Sequence, residues 1–278
     1  MKYIDLDKIL KSSDSDFLKK IPRWMVKFLI RVIHQEDINQ IIDKNSQYYG
    51  VEFIRKAFEN FHITLKVEGL ENLPENGKCF FVSNHPFGFI EGLTLTNIIA
   101  GRYGNVKAIG NDVYNMIPNL EPVIAVVNVF GKSPREYILA LEAIYNSDAP
   151  IVHFPSGEVS RVYGGKIQDC AWQKSFISKA VSCRRNIVPV FFYGRNSRFF
   201  YFIGLMRRIL GIKKNIELAL LPHEMFRKRN TIIRLKVGTP IPWETFDKSN
   251  SHHAWAQWVR EQVYRLHPGN ASRWVSCF

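Results

Sequence analysis

From about residue 61 onward the chain alternates two kinds of segment, and that alternation limits its fold more than any other feature. Brief apolar runs at residues 79–82, 123–129, 151–154 and 187–192 are too short for helices and suit strands buried on both faces. Residues 62–70 alternate apolar and polar side chains as a half-buried strand does, and residues 235–237 read as one more strand. Between them lie helix-period stretches at 92–100, 134–146, 172–183 and 252–267, punctuated by glycine and proline. Strands alternating with helices predict an α/β fold, a mostly parallel central sheet flanked by helices. Residues 1–60 lack the alternation and read as an N-terminal helical extension, so the expected division is 1–60 and 61–278.

No run of about 18 apolar residues occurs; the nearest, residues 187–206, is broken by Arg195 and Arg198. The chain is therefore expected not to span a bilayer with a helix. It can still lie on one. The formal net charge is +13, which favours an anionic partner. Arg23, Lys27 and Arg31 form a basic stripe among Trp24, Met25, Phe28, Leu29, Val32 and Ile33. Such a helix suits the headgroup plane of an anionic membrane surface, or a core face with a charged edge. Residues 199–208, continuing to Lys213 and Lys214, form a second apolar and basic stretch. It fits membrane docking, an acyl-chain tunnel or a buried helix with a cationic end. Nucleic acid has only the charge in its favour. Cys79, Cys170, Cys183 and Cys277 lack zinc-site spacing, and His252 and His253 lack a third ligand, so no metal is expected.

The loop after residues 79–82 stands where an α/β sheet presents functional groups. It holds His85 and, six residues on, Glu91. Pro86 biases His85 toward an extended backbone, and Gly88 permits a tight turn. Glu91 then falls near a helix start, where a carboxylate is favoured and can fold back onto the imidazole. A neutral imidazole can take a proton from an alcohol, with a carboxylate holding its tautomer. No G-x-S-x-G elbow is present, so the attacking hydroxyl is expected from the substrate.

Asn84-His85-Pro86, followed by a glycine and an acid, resembles the first block of the glycerolipid (lysophosphatidic acid) acyltransferase superfamily. The usual pattern there is His-x4-Asp; this chain has His-x5-Glu. The longer spacing is similar to a bacterial subgroup labelled hemolysin, which includes ornithine-lipid and glycine-lipid O-acyltransferases and reads NHPxGGxDG. Phe89 replaces one of its glycines and Glu91 its aspartate. Residues 154–161, Phe-Pro-Ser-Gly-Glu-Val-Ser-Arg, resemble the superfamily's FPEGTRS block and fit the subgroup's FPAGxxSR better. Residues 128–133 offer a weak second block. Ile187-Val188-Pro189-Val190 resembles the last, an apolar strand beside the acyl channel.

The resemblance implies a glycerolipid acyltransferase-like fold and a peripheral enzyme on the cytoplasmic face of the inner membrane. It would pass a fatty acyl group from acyl carrier protein or a CoA thioester to a lysolipid, an amino-acid-based one on the subgroup's pattern, with no further cofactor. His85 would be the base and Glu91 its partner. Ser156, Gly157, Glu158 and Arg161 would bind the acceptor, with Glu158 orienting Arg161 or meeting the acceptor amide. Asn84, Pro86, Gly88 and Pro189 would line the loop and acyl channel. Trp172, beside Lys166 and Asp169, reads as core, and His153 as a satisfied strand histidine. The rivals are a conventional lysophosphatidic acid acyltransferase and a non-enzymatic membrane-active protein.

Overall fold

The computed structural model describes residues 3–12, 21–127, 134–212 and 215–269. Residues 128–133, Lys213, Lys214 and Cys277 lie outside the described residues, and with them the weak second block. Four helices come first: α1 (Leu6–Ser12), α2 (Arg23–Val32), α3 (Gln35–Lys44) and α4 (Gly50–Glu59). Then follow β1 (Thr64–Glu68), β2 (Cys79–Ser83), α5 (Phe89–Tyr103), β3 (Lys107–Asn111), β4 (Ile124–Val127) and α6 (Pro134–Asn146). Next are β5 (Ile151–His153), a hairpin of β6 (Arg161–Tyr163) and β7 (Lys166–Gln168), α7 (Ser175–Ser182) and β8 (Asn186–Tyr193). The chain continues through α8 (Arg198–Ile209), α9 (Leu221–Phe226), β9 (Ile232–Val237) and α10 (His252–Arg265).

Seven strands form one sheet in the order β1-β9-β8-β2-β5-β3-β4. Every neighbouring pair is parallel except β8 with β9, so β1 and β9 run against the other five. The sheet is mostly parallel, as the alternation predicts. β3 and the β6–β7 hairpin were not legible as strands. Each is short, and β3 carries Gly110, where a Cβ would stand 2.7 Å from the Tyr114 ring.

Strand β2 lies at the centre and every residue of it is buried. Successive side chains point to opposite faces. Phe81 joins a core made with Phe53 and Ile54 of α4 and Ile90, Leu95 and Ile99 of α5. Phe80 and Val82 face Phe176 and Ile177 of α7 and Val259 and Val263 of α10. Ile42 of α3 belongs to the first face, so α3 and α4 pack on the sheet. Helix α2 differs: it buries only Val26 and leaves Trp24 69% and Phe28 59% exposed.

Pro189 sits within β8 opposite Val82 of β2. A proline there is tolerated because β9 leaves the ladder beside it. Antiparallel pairing ends at Val190 with Val237, Gly238 donates to the Pro189 carbonyl at 2.8 Å, and pairing resumes only at Ile187 with Ile241.

His153 at the end of β5 corrects an expectation. Its Nδ1 is buried without a hydrogen-bond partner among the described residues, and burial lowers its pKa from 6.5 to about 4. The unfolded chain thus binds more protons than the folded one between those values. Stability rises with pH through that window and is lost as pH falls. A His153→Leu variant should therefore lose less stability than wild type between pH 7.5 and 5, by roughly 1–2 kcal/mol in urea unfolding. Equal losses would remove His153 as the cause.

Candidate active site

Strand β2 hands the chain to the loop that carries His85. Asn84, 4% exposed, turns its side chain into the sheet. Its Oδ1 accepts from the Phe192 amide at 2.8 Å and its Nδ2 donates to the Phe192 carbonyl at 3.0 Å. A side chain here extends the pairing of β2 with β8. Asn84 therefore anchors the loop to β8.

Gly88 adopts φ 109° and ψ −91°, a region that side chains rarely enter. A Cβ there would also approach Leu221 to 3.0 Å. The turn starts α5 at Phe89, three residues before the helix expected from periodicity, and Pro86 is buried within it. Glu91 is fully buried, and its Oε1 accepts the Phe87 and Gly88 amides at 2.8 Å each. The same oxygen lies 2.9 Å from His85 Nδ1. A carboxylate surrounded by N–H donors favours the Nδ1–H tautomer of the ring. The lone pair is then left on Nε2, and the side chain is 17% exposed. The ring stacks on Phe154 with centroids 4.5 Å apart.

The backbone of His85 is pinned from the third block. Its amide donates to Asp169 Oδ1 at 3.2 Å and its carbonyl accepts from the Ser160 amide at 2.8 Å. Buried Asp169 also accepts the Ser160 hydroxyl at 2.6 Å and the Trp172 indole at 3.0 Å. Burial pushes the Asp169 carboxyl up from the usual range, opposed by the Ser160 and Trp172 hydrogen bonds. Sequence reasoning placed Asp169 beside the block without a role; nothing local shows that it reaches His85, 84 residues away.

The expected acceptor residues are arranged differently from their reading. The Ser156 hydroxyl donates to the Glu158 carbonyl at 2.8 Å, and the Gly157 amide donates to the Phe154 carbonyl at 3.0 Å. Both groups close the turn itself. Glu158 accepts from the Tyr163 hydroxyl at 3.2 Å and does not orient Arg161. Glu217 does that instead: it is fully buried, and its Oε1 accepts from Arg161 Nε at 3.1 Å. Arg161 is 5% exposed and also donates through Nη1 to the Val159 carbonyl at 2.6 Å. Arg207 Nε lies 2.9 Å from Glu217 Oε2, close enough for an ion pair though poorly aligned for a hydrogen bond. Two arginines thus share one buried carboxylate, and Arg161 Nη2 is buried without a partner among the described residues. Glu217, 56 residues from Arg161, had no signal in the sequence.

Among the described residues the polar partners of the His85 side chain include Glu91 and no protein hydroxyl or thiol. The arrangement is that of an imidazole base with a buried carboxylate behind it, so it can deprotonate a hydroxyl supplied from outside.

The chain is similar to known proteins in sequence and in fold. Residues 8–271 match the family described as Acyltransferase. The lyso-glycine lipid O-acyltransferase of Phocaeicola vulgatus is 40% identical over 264 residues, covering 95% of each chain. That of Bacteroides thetaiotaomicron is 39% identical, covering 95% of this chain and 97% of its own. The crystal structure of the 1-acyl-sn-glycerophosphate acyltransferase PlsC from Thermotoga maritima is similar in fold. It superposes with a TM-score of 0.51 at 19% identity, over 81% of this chain and 79% of that one. With the match spanning nearly the whole chain, the protein belongs to the acyltransferase family and is an acyltransferase.

Proposed function

We propose that this acyltransferase moves a fatty acyl group from an acyl thioester to the hydroxyl of a lyso-glycine lipid, an amino-acid-based lysolipid. The names of the two bacterial relatives support the acceptor. One observation carries the chemistry: His85 Nδ1 stands 2.9 Å from a buried Glu91 carboxylate that two backbone amides also hold. Nε2 takes the proton of the acceptor hydroxyl as its oxygen attacks the thioester carbonyl. Glu91 stabilises the imidazolium while the tetrahedral adduct exists. The adduct collapses by breaking the C–S bond, and the imidazolium returns the proton to the departing thiolate. The products are an ester and a free thiol, and His85 is again neutral.

Arg161 supplies the acceptor's anchor in this reading. A glycine lipid ends in a free carboxylate, and Arg161 Nη2 has an unmet donor beside an excess buried positive charge. Arginine meets a carboxylate through directed N–H donors. Ser160, the residue before Arg161, already touches the His85 carbonyl, which keeps anchor and base in one neighbourhood.

The donor is an acyl carrier protein thioester or acyl-CoA, and the enzyme works as a peripheral protein on the cytoplasmic face of the inner membrane. Among the described residues no helix is long and apolar enough to cross a bilayer. Exposed Trp24 and Phe28 on α2, and Phe199 and Phe202 on α8, lie among basic residues and suit the headgroup region. The test is purified protein with labelled acyl donors and a panel of lysolipids, with products read by mass spectrometry. O-acylated glycine lipid is the expected product. Transfer confined to lysophosphatidic acid, or to no acceptor, would overturn the proposal.

A further inference from the structure

Strands β2 and β8 lie side by side and parallel, so their carboxyl ends deliver two loops to one edge of the sheet. The β2 loop holds His85. The β8 loop, residues 194–197, leads into α8 and presses on the β2 loop at Phe87. A Cβ added to Gly194 would stand 2.6 Å from the Phe87 ring. Asn196 Nδ2 donates to the Phe87 carbonyl at 3.3 Å. Lys228 Nζ sits 4.4 Å from the Phe87 ring centre and donates to the Arg195 carbonyl at 2.9 Å.

Next to these contacts is an open cavity of 480 Å³. Its walls include Arg195, Arg198, Arg227 and Lys228 with a single acid, Glu224. Glu224 is 2% exposed and already holds the Ser197 amide at 2.8 Å and the Ser197 hydroxyl. The cations therefore outnumber the acid and favour an anion. Burial lowers the Lys228 ammonium, while the carboxylates of Glu224 and Glu91 act the other way, so this wall feels the charge of the catalytic pair. Asn196 also belongs to the cavity wall. Asn196 is 3% exposed, and its Oδ1 has no partner among the described residues.

Acyl transfer from a thioester constrains what fits here. CoA and acyl carrier protein present the thiol on the same arm, a pantetheine with amide N–H groups and a phosphate ester at its far end. Resting on the acyl-transfer reading, we infer that this cavity binds the phosphopantetheine arm of the acyl donor. The phosphate lies among Arg195, Arg198 and Arg227, in charge-assisted hydrogen bonds suited to guanidinium groups. Ser197, Arg198 and Phe199, at the start of α8, line the same cavity. An amide N–H of the arm donates to Asn196 Oδ1, and the thioester passes Phe87 toward His85. The volume lies within the roughly 300–1,000 Å³ of small-molecule sites.

The test is the double variant Arg195→Gln/Arg227→Gln, assayed with acyl-CoA, acyl carrier protein, acyl-phosphopantetheine and acyl-pantetheine. The expected result is a rise of roughly tenfold or more in KM for acyl-phosphopantetheine and for whichever carriers wild type uses. The KM for the lysolipid stays put. With acyl-pantetheine, which lacks the phosphate, the difference between variant and wild type disappears. The carrier that wild type turns over names the natural source. Three results would overturn the inference: equal loss with acyl-pantetheine, loss seen with acyl carrier protein alone, or a raised KM for the acceptor. Thermal unfolding of both proteins guards against a variant that fails to fold, with Arg198→Gln as the milder substitute. Calorimetric titration with phosphopantetheine, which needs no turnover, judges the cavity even if no acceptor is ever acylated. Absence of binding to wild type would sink the inference, whereas binding without transfer would sink only the acyl-transfer reading.

Discussion

A His85→Ala variant is expected to lose roughly 10²–10⁴-fold in kcat/KM for acyl transfer, the range removed with a general base. Its fold should survive. The two contacts that pin residue 85 to the third block use its backbone amide and carbonyl, which alanine keeps. What disappears is the stacking on Phe154 and the hydrogen bond to Glu91. A cost within about 0.5–3 kcal/mol is ordinary for such a loss. Kinetics and urea unfolding on the same preparation separate the two effects. Turnover within a few-fold of wild type, in a folded variant, removes His85 from the role of base.

Glu91 has two tasks on one oxygen, and two substitutions tell them apart. Glu91→Ala takes away both the partner of the imidazole and the acceptor of the Phe87 and Gly88 amides. It should lose activity by a factor in the same 10²–10⁴ range and also about 0.5–2 kcal/mol of stability at the start of α5. Glu91→Gln keeps a side-chain carbonyl for the two amides and removes the negative charge. Its unfolding should stay close to that of wild type, while transfer falls nearly as far as in the alanine variant. Wild-type turnover by Glu91→Gln would show that the carboxylate's charge does not serve the reaction, leaving Glu91 a structural cap.

Arg161 shows how a residue can be singled out by resemblance while its surroundings are missed. The block of residues 154–161 draws attention to Arg161 by resemblance. Its partner, however, is Glu217, reached through a segment beyond α8, and Glu158 turns to Tyr163. Asn84 is the same case from the other direction. Its neighbours in sequence place it in a functional loop, and its hydrogen bonds run to Phe192, 108 residues away. Asp169 carries no local pattern at all, although it holds the His85 amide from within the core. Each of these contacts depends on which strands become neighbours, and strand order is not written in any one segment's period.

By itself the sequence determined the alternation of strands and helices, the mostly parallel sheet and the meeting of His85 with Glu91. Those are short-range matters. Apolar runs select buried strands, a glycine supplies the backbone geometry of Gly88, and six residues of chain bring carboxylate and imidazole together. Only the tertiary structure decided that β9 and β1 run against the other strands, that Arg161 and Arg207 share Glu217, and that basic walls gather beside Phe87. These groups meet because the folded sheet closes loops of tens to hundreds of residues. The burial that then makes a charge need its partner exists only once that closure is complete.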